Sequence, residues 1–328
     1  MGEFDLIARY FTRPTAHAVL GVGDDCALLQ PAPGTQLAIS SDMLVEGRHF
    51  FADVDPAALG HKALAVNLSD LAACGAKPLA FTLALSLPRV DETWLAGFSK
   101  GLLALADAHG CELVGGDTTQ GPLNICITVF GEVPVVSGKS QALLRSGAKP
   151  GDDVYVSGTL GDARLALEAL RGAVTLPPDL LAQARLRLEQ PTPRVALGQA
   201  LRGIASAAID VSDGLLGDLR HILRTSSAGA TLETSNAINL VATSQDTALA
   251  RAGFDTEKQL EFVLAGGDDY ELAFTAPASA RDAVQAAARQ AHTAVSRIGR
   301  IDANPGLRLL DAAGALIERR YASFDHFA

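Results

Sequence analysis

The chain has 328 residues, of which 48% are hydrophobic and 20% are charged, and its formal net charge is −10. This length exceeds one ordinary hydrophobic core, so we expect two domains, and the composition is that of a globular protein rather than a disordered one. The acidic balance argues against a nucleic-acid-binding surface, whose affinity comes mainly from Lys and Arg on phosphates. The longest apolar stretches, such as Leu79 to Leu87, are too short to span a bilayer.

The N-terminal segment and the cysteines both predict a cytoplasmic protein. Met1 to Phe11 carries acidic residues and lacks a basic flank followed by a cleavage signal. The cysteines show no C-x-x-C spacing and stand in apolar surroundings, which is typical of reduced thiols; they are Cys26, Cys74, Cys111 and Cys126. The seven histidines form no close cluster along the chain, so a zinc site is not expected.

In the first half of the chain, the apolar pattern predicts alternating strands and helices. The predicted elements are strands over 36–41 and 81–87, helices over 56–74 and 92–109, a strand over 112–114 that breaks at Gly115-Gly116, and a strand over 123–132. A segment rich in Gly, Ser, Lys and Pro follows over 136–152. We place the domain boundary in this segment, between residues 138 and 139.

The second half opens with a predicted strand over 153–157, a turn, and a helix over 162–170. The further predicted elements are a Pro-rich linker and helix over 176–193, a strand over 204–211, a helix from Gly214 to about 224, and strands over 262–265 and 270–275. The last two strands flank the turn Gly266-Gly267-Asp268-Asp269. Because so short a turn joins neighbouring strands, we expect them to pair antiparallel.

Six times in this chain an apolar run ends in a small polar or glycine residue followed at once by aspartate. These segments end at Asp25, Asp42, Asp70, Asp117, Asp213 and Asp269. Each one alone fits a turn or a helix cap, but six in one chain are harder to explain in that way. Carboxylates gathered at the ends of buried elements would repel one another unless hard divalent cations neutralised them. The pattern therefore predicts an acidic pocket in which Mg²⁺ holds a polyphosphate.

Asp70 is the acid that turns and caps do not explain. Within the helix predicted over 56–74, helical spacing places Leu59, Ala63 and Val66 on the same stripe as Asp70. This carboxylate is therefore expected to point where its apolar neighbours point.

Other candidates have two interpretations each. Arg145, in a loop, is either a solvated arginine or a fork for phosphate. His49 is either a packed surface residue or a ligand contact. The aromatic tail over 321–327, which contains Phe324, either docks on the core or stacks on a heteroaromatic ligand. The segment Gly138-Lys139-Ser140 is no P-loop, because Val133 stands where that motif needs glycine.

At these motifs the chain closely resembles the thiamine-monophosphate kinase family, nearly from end to end. The N-L-S-D-x-A-x-x-G-A element by itself indicates only the wider superfamily of aminoimidazole ribonucleotide synthetase-like, or PurM-like, proteins. The resembling segments are Val22 to Leu29, Ile39 to Phe50, Lys62 to Pro78, Gly115 to Thr119, Arg145 to Asp152, Asp210 to Leu215, Gly266 to Leu272 and Phe324 to Phe327.

The resemblance implies an α+β, two-domain PurM-like fold. The N-terminal αβ domain, residues 1–138, would have a mixed sheet, pair across a homodimer and carry most metal and ATP contacts. The C-terminal domain, residues 139–328, would be an αβ sandwich that closes the active site.

The resemblance also implies roles for individual residues. Mg²⁺ ions would be held by Asp25, Ser40, Ser41, Asp42, Asp70, Asp117, Asp210 and Asp213. ATP would contact Gly116, Asp117, Arg145 and Ser212, and thiamine monophosphate would contact His49, Asp268 and Phe324. Catalytic roles fall to Arg145 and Asp70. The family usually has glutamate at Asp268, which withdraws the carboxylate here by one methylene, and Tyr or Trp at Phe324.

The implied reaction is ATP-dependent phosphorylation of thiamine monophosphate to thiamine diphosphate, the last step of thiamine diphosphate biosynthesis. Its acceptor is a phosphate that is largely ionised at neutral pH, so no general base is required and direct in-line transfer is expected. The enzymatic alternatives are an aminoimidazole ribonucleotide synthetase, a selenophosphate synthetase and a hydrogenase-maturation relative. The last is expected to end in a reactive cysteine, whereas this chain ends in His326-Phe327-Ala328. A catalytically silent nucleotide or thiamine-phosphate sensor is the alternative from another class.

Overall fold

The chain divides after Gln141 into two units, in a computed structural model that describes residues 2–237, 248–319 and 321. The first unit comprises Met1–Leu71 and Ala76–Gln141, and the second comprises Ala72–Gly75 and Ala142–Ala328. The division lies inside the 136–152 segment that is rich in turn-forming residues.

The first unit is a mixed sheet with helices. Its elements are α1 (Glu3–Tyr10), β1 (Thr35–Val45), α2 (Pro56–Ala73), β2 (Lys77–Leu87), α3 (Glu92–His109), β3 (Glu112–Gln120), β4 (Asn124–Val136) and β5 (Lys139–Ser140). The strand order is β1-β4-β2-β3, with β5 on β4. Strand β4 pairs antiparallel with β1 and β2, whereas β2 and β3 are parallel, so the mixed sheet predicted for this half is confirmed.

The two long helices of this unit approach each other at glycines. A Cβ on Gly60 of α2 would lie 2.1 Å from the carbonyl oxygen of Phe98, and a Cβ on Gly101 of α3 would lie 1.9 Å from that of Ala57. Only residues without a side chain allow so close a contact between helix backbones. This packing fixes α2, which carries Asp70 near its C-terminal end.

Strand β3 corrects a sequence prediction. The pair Gly115-Gly116 was expected to end the strand, but β3 continues to Gln120 because it pairs with β2 along its length. The register with β2 shifts at Phe81/Thr82, so the irregularity is absorbed as a bulge instead of a break.

The second unit has a six-stranded sheet in the order β11-β8-β10-β6-β9-β7. Its strands are β6 (Asp152–Ser157), β7 (Ala207–Val211), β8 (Gly229–Glu233), β9 (Glu271–Pro277), β10 (Val295–Asp302) and β11 (Gly306–Leu310). Its helices are α4 (Asp162–Leu170), α5 (Pro178–Glu189), α6 (Val195–Ala200), α7 (Leu215–Thr225), α8 (Thr234–Ala237), α9 (Ala248–Arg251), α10 (Thr256–Ala265) and α11 (Arg281–Gln290). Buried Val154, Ile209, Leu219 and Phe262 belong to the core between the sheet and these helices.

The antiparallel hairpin predicted around the Gly-Gly-Asp-Asp turn is wrong. Residues 262–265 form the end of α10, and the turn leads from this helix into β9. A short apolar run has the same composition in a buried helix end as in a strand, and this explains the error. Strand β9 instead pairs antiparallel with β6 and β7, far away in the sequence. In the part of the chain that the structure describes, no helix is both long and apolar enough to cross a membrane.

Candidate functional site

In the first unit, polar residues of β1 face the helix α2. Alternation along the strand places Ser40 and Asp42 on one face of the sheet. The hydroxyl of Ser40 donates to Asp70 Oδ2 at 2.5 Å, and the backbone N–H of Asp42 donates to Asn67 Oδ1 at 3.0 Å. Asp70 is half-buried among apolar neighbours, where a carboxylate needs a polar partner. Ser40 is such a partner.

Asn67 is a residue of this cluster that sequence reasoning missed. It lies one turn before Asp70 on α2 and is 1% exposed. Its amide nitrogen donates to the carbonyl oxygen of Ala63 at 3.0 Å, which directs its oxygen towards β1. The sequence signal that could have identified Asn67 is its place, as a second polar residue, on the helical stripe that contains Asp70.

Ser41 lies on the opposite face of β1. Its hydroxyl group donates to the carbonyl oxygen of Ile127 at 3.2 Å, and Ser41 Oγ lies 2.9 Å from Thr128 Oγ1. The side chain of Ser41 is therefore not brought together with those of Ser40 and Asp70. Its role as a metal ligand stays a prediction.

The remaining candidates of this unit lie on a turn, a strand and a loop. Asp25 is exposed, and its N–H donates to Asp24 Oδ1 at 2.8 Å. Gly116 has φ 149°, and a Cβ there would lie 1.8 Å from the carbonyl oxygen of Leu83, so only glycine fits beside β2. Asp117 follows it and is exposed. His49 accepts a hydrogen bond from the N–H of Val45 at its Nδ1, at 3.0 Å, which fixes the ring.

In the second unit, the candidates follow strand β7. Asp210, near the end of this strand, is 6% exposed, and Ser212 and Asp213 lie in the turn before α7. The N–H groups of Ser212 and Asp213 both donate to Asp218 Oδ2 at 3.1 Å. Burial, and then the charge of Asp213, raise the pKa of the Asp218 carboxyl to about 7. Sequence reasoning missed Asp218, which holds the turn in place from the first turn of α7.

The far end of α7 holds the loop that carries Arg145. The hydroxyl of Thr225 donates to the carbonyl oxygen of Arg145 at 2.9 Å. The N–H groups of Gly147 and Ala148 donate to Ser226 Oγ at 3.1 and 3.2 Å. Helix α7 therefore fixes two predicted ATP-contact segments, one at each end.

The turn between α10 and β9 lies next to the turn that carries Ser212. The N–H of Asp268, in the turn between α10 and β9, donates to the carbonyl oxygen of Ser212 at 2.8 Å. The next residue, Asp269, is 2% exposed and accepts from the N–H of Gly161 at 3.0 Å. Burial raises the pKa of the Asp269 carboxyl well above its ordinary value, against the lowering effect of Arg187. The predicted substrate-contact residue Asp268 thus lies next to the predicted ATP-contact residue Ser212.

No group of three or more His, Cys, Asp or Glu side chains arranged to hold a metal ion is found among residues 2–237, 248–319 and 321. The predicted metal ligands of the first unit supply oxygen atoms only, and so do Asp210 and Asp213 in the second. Such a donor set fits Mg²⁺ and excludes a soft-metal site. Phe324 lies outside the described residues.

Family models match both halves of the chain. The model of the AIR synthase related protein N-terminal domain matches residues 23–133, and that of the C-terminal domain matches residues 149–312.

The chain is also similar to named proteins along nearly its full length. It is 46% identical to thiamine-monophosphate kinase of Salmonella typhimurium, with 100% of this chain and 98% of that protein covered. The crystal structure of thiamine-monophosphate kinase from Stenotrophomonas maltophilia is 44% identical, with a TM-score of 0.82 and 93% and 94% coverage of the two chains. The structure of AaThiL complexed with AMPPCP and TMP is 27% identical, with a TM-score of 0.75 and 91% and 89% coverage.

Proposed function

The chain belongs to the thiamine-monophosphate kinase family, and on that premise we propose that it transfers the γ-phosphoryl group of ATP to the phosphate of thiamine monophosphate. The products are thiamine diphosphate and ADP, and the reaction is the last step of thiamine diphosphate biosynthesis. The observation that carries the proposal is the end-to-end similarity to curated kinases of this specificity, supported by the related structure with an ATP analogue and TMP bound.

The acceptor explains why no nucleophilic side chain is required. A phosphate monoester loses its second proton near a pKa of about 6, so its oxygen is a ready nucleophile at neutral pH. This oxygen bonds to the γ-phosphorus as the bond to the leaving oxygen of ADP breaks. The protein then has to align two anions in line and neutralise their charge. Transfer is direct, without a phosphorylated enzyme intermediate.

The oxygen-only donor set fits Mg²⁺ as the neutralising ion. In the first unit, Ser40 and Asp70 already present a hydroxyl and a carboxylate oxygen to each other at 2.5 Å. The residues that would hold the ions are Asp25, Ser40, Ser41, Asp42, Asp70, Asp117, Asp210 and Asp213. When bound, Mg²⁺ supplies positive charge for the phosphates of ATP and for the transferred group.

The chain's own residues supply binding and orientation. Gly116, Asp117, Arg145 and Ser212 contact ATP, and the guanidinium of Arg145 stabilises charge on the transferred phosphoryl group. The hydrogen bond from Thr225 to the carbonyl oxygen of Arg145 supports this role, because a held main chain limits the region that the guanidinium can reach. His49, Asp268 and Phe324 contact thiamine monophosphate.

We further propose a cytoplasmic homodimer that forms through the sheet of the first unit. Strand β1 is an edge strand of this sheet, and its outward face presents Leu37, Ile39 and Met43 with 44%, 60% and 54% exposure. An exposed apolar stripe on a sheet edge is typical of a surface that another chain covers. Sedimentation velocity tests the dimer.

The reaction is tested by ³¹P NMR of the protein with ATP, Mg²⁺ and thiamine monophosphate. We expect the monophosphate signal to disappear while thiamine diphosphate and ADP signals grow in equal amounts. A parallel sample without thiamine monophosphate should show no comparable loss of ATP. Release of inorganic phosphate without thiamine diphosphate would contradict the kinase proposal. Capture of a phosphorylated residue during turnover would contradict direct transfer.

A further inference from the structure

The turn between α10 and β9 has a strained backbone. Gly267, Asp268 and Tyr270 have φ of 77°, 59° and 52°. A residue with a Cβ adopts this left-handed region at a cost in free energy, because its Cβ comes too close to the following carbonyl oxygen. Five non-glycine residues of the described chain have positive φ, and two of them are in this one turn. Strain of this kind persists only where surrounding contacts impose it.

Backbone contacts with the turn after β7 impose the conformation. Asp268 donates its N–H to the carbonyl oxygen of Ser212 at 2.8 Å, and Tyr270 donates its N–H to that of Val211 at 2.9 Å. A Cβ on Gly267 would lie 2.7 Å from the same carbonyl oxygen of Ser212. The two turns are therefore joined by hydrogen bonds, with no room for a side chain between them.

Within this pair of turns, the side chain of Tyr270 reaches Asp268. The phenolic hydroxyl of Tyr270 donates to Asp268 Oδ1 at 3.3 Å, and both side chains are half-buried. A carboxylate on a turn can rotate about two bonds, and a donor on one oxygen restricts it to one orientation. The left-handed backbone at residues 268 and 270 is what brings the two side chains together.

We propose that Tyr270 is a positioning residue for thiamine monophosphate, which acts by holding the carboxylate of Asp268 in its binding orientation; this rests on the proposed function. A carboxylate repels the phosphate of the substrate, so Asp268 faces the cationic thiamine half. The hydroxyl of Tyr270 therefore affects affinity for thiamine monophosphate and leaves ATP binding unchanged.

The test is Tyr270→Phe, which removes one hydroxyl and keeps the ring. We expect KM for thiamine monophosphate to rise about 5-fold, as for the loss of one hydrogen bond, with kcat and KM for ATP within about 2-fold of the original. Calorimetric titration with thiamine monophosphate alone should show a similar rise in Kd. Unchanged KM and Kd would overturn the proposal.

Tyr155→Phe is a matched control in the second unit of the chain. Its hydroxyl donates to Asp153 Oδ2 at 3.4 Å, with the same two-residue spacing, but the pair lies on strand β6, away from the turn. This variant should keep both KM values. A fall in Tm for Tyr270→Phe that clearly exceeds the fall for Tyr155→Phe would assign Tyr270 a structural role instead and overturn the proposal.

A double-mutant cycle checks that Tyr270 acts through Asp268. In an Asp268→Ala background, Tyr270→Phe should cause no further change in Kd for thiamine monophosphate. An equal effect in both backgrounds would contradict the proposed route. If the unmodified protein makes no thiamine diphosphate, the proposed function fails; if it does, and Tyr270→Phe binds and reacts normally, only the positioning role fails.

Discussion

The predicted site residues of the two units are held in place in different ways. In the first unit, Ser40 and Asp70 lie on a regular strand and a regular helix, and their side chains meet although they are 30 residues apart. In the second unit, Ser212 and Asp268 lie in turns that backbone hydrogen bonds join. The first arrangement depends on which face of an element a side chain occupies, and the second depends on the backbone conformation of turns.

Buried acids accompany the turns of the second unit. Asp218 accepts from two N–H groups of one turn, and Asp269 accepts from the N–H of Gly161 beside the other. Glu271, just after that turn, is fully buried and pairs with Arg187 and Arg194. Groups that are costly to bury need satisfied partners, so they specify one conformation of the surrounding backbone.

The largest expected effect is on the side-chain arrangement of the first unit. Asp70→Asn should lower kcat by about 100-fold or more, because an amide cannot supply the negative charge that a metal-bound phosphate site needs. The fold should persist, since a neutral amide is easier to bury than a carboxylate and can still accept from Ser40. Steady-state kinetics and circular dichroism check both results.

Asp107→Asn serves as the control for this change. Asp107 is an exposed acid of α3 that pairs with Arg13, and surface pairs contribute about 0–1 kcal/mol. Its activity should match that of the unmodified protein. An active Asp70→Asn enzyme would contradict the proposed role of Asp70 as a metal ligand.

Gly116 is a predicted site residue of the first unit whose place depends on backbone conformation, and Gly116→Ala tests this dependence. The added Cβ would lie 1.8 Å from the carbonyl oxygen of Leu83, so β3 must move away from β2. We expect the free energy of unfolding to fall by about 3 kcal/mol or more in urea titrations. Gly138→Ala, at φ 75° but in open space, should lose only about 1 kcal/mol. Equal losses would show that φ, and not the close approach, requires glycine.

The smallest expected effect concerns Asp218 of the second unit and is a change in how stability depends on pH. Since burial raises the pKa of folded Asp218 to about 7 from its ordinary 3.8, the folded state binds this proton more tightly than the unfolded state does. The stabilisation is therefore complete below about pH 4 and is lost as pH rises through about 7. Asp218→Asn should flatten this part of the Tm-against-pH curve in metal-free buffer.

Asp311→Asn is the control for the pH experiment. Asp311 also accepts from two N–H groups, those of Ala313 and Ala315, but its carboxylate is exposed. This variant should leave the curve unchanged. A curve for Asp218→Asn that still falls from pH 5 to about 7 would show that another group controls the slope.

The elements with clear end signals were predictable from sequence. Helix α3 spans the predicted 92–109 because Asp91 caps its first N–H groups and Gly110 ends it in a left-handed conformation. The predicted position of Asp70 on the stripe of Leu59, Ala63 and Val66 follows from the helical period of 3.6 residues. Elements that depend on distant partners were less predictable: β3 passes through Gly115-Gly116 because β2 lies alongside, and residues 262–265 are helical because α10 packs in the core.

The sequence by itself determined the acidic inventory of the chain, the family it belongs to and the faces on which the polar residues of regular elements lie, because these follow from residue type and local period. Only the tertiary structure decided that α7 fixes Ser212 at one end and Arg145 at the other, and that Tyr270 contacts Asp268. The contacts of α7 use main-chain N–H and carbonyl groups that every residue carries, and Tyr270 reaches Asp268 through a left-handed backbone that hydrogen bonds to the turn after β7 impose. Residue type therefore contains no signal for these contacts.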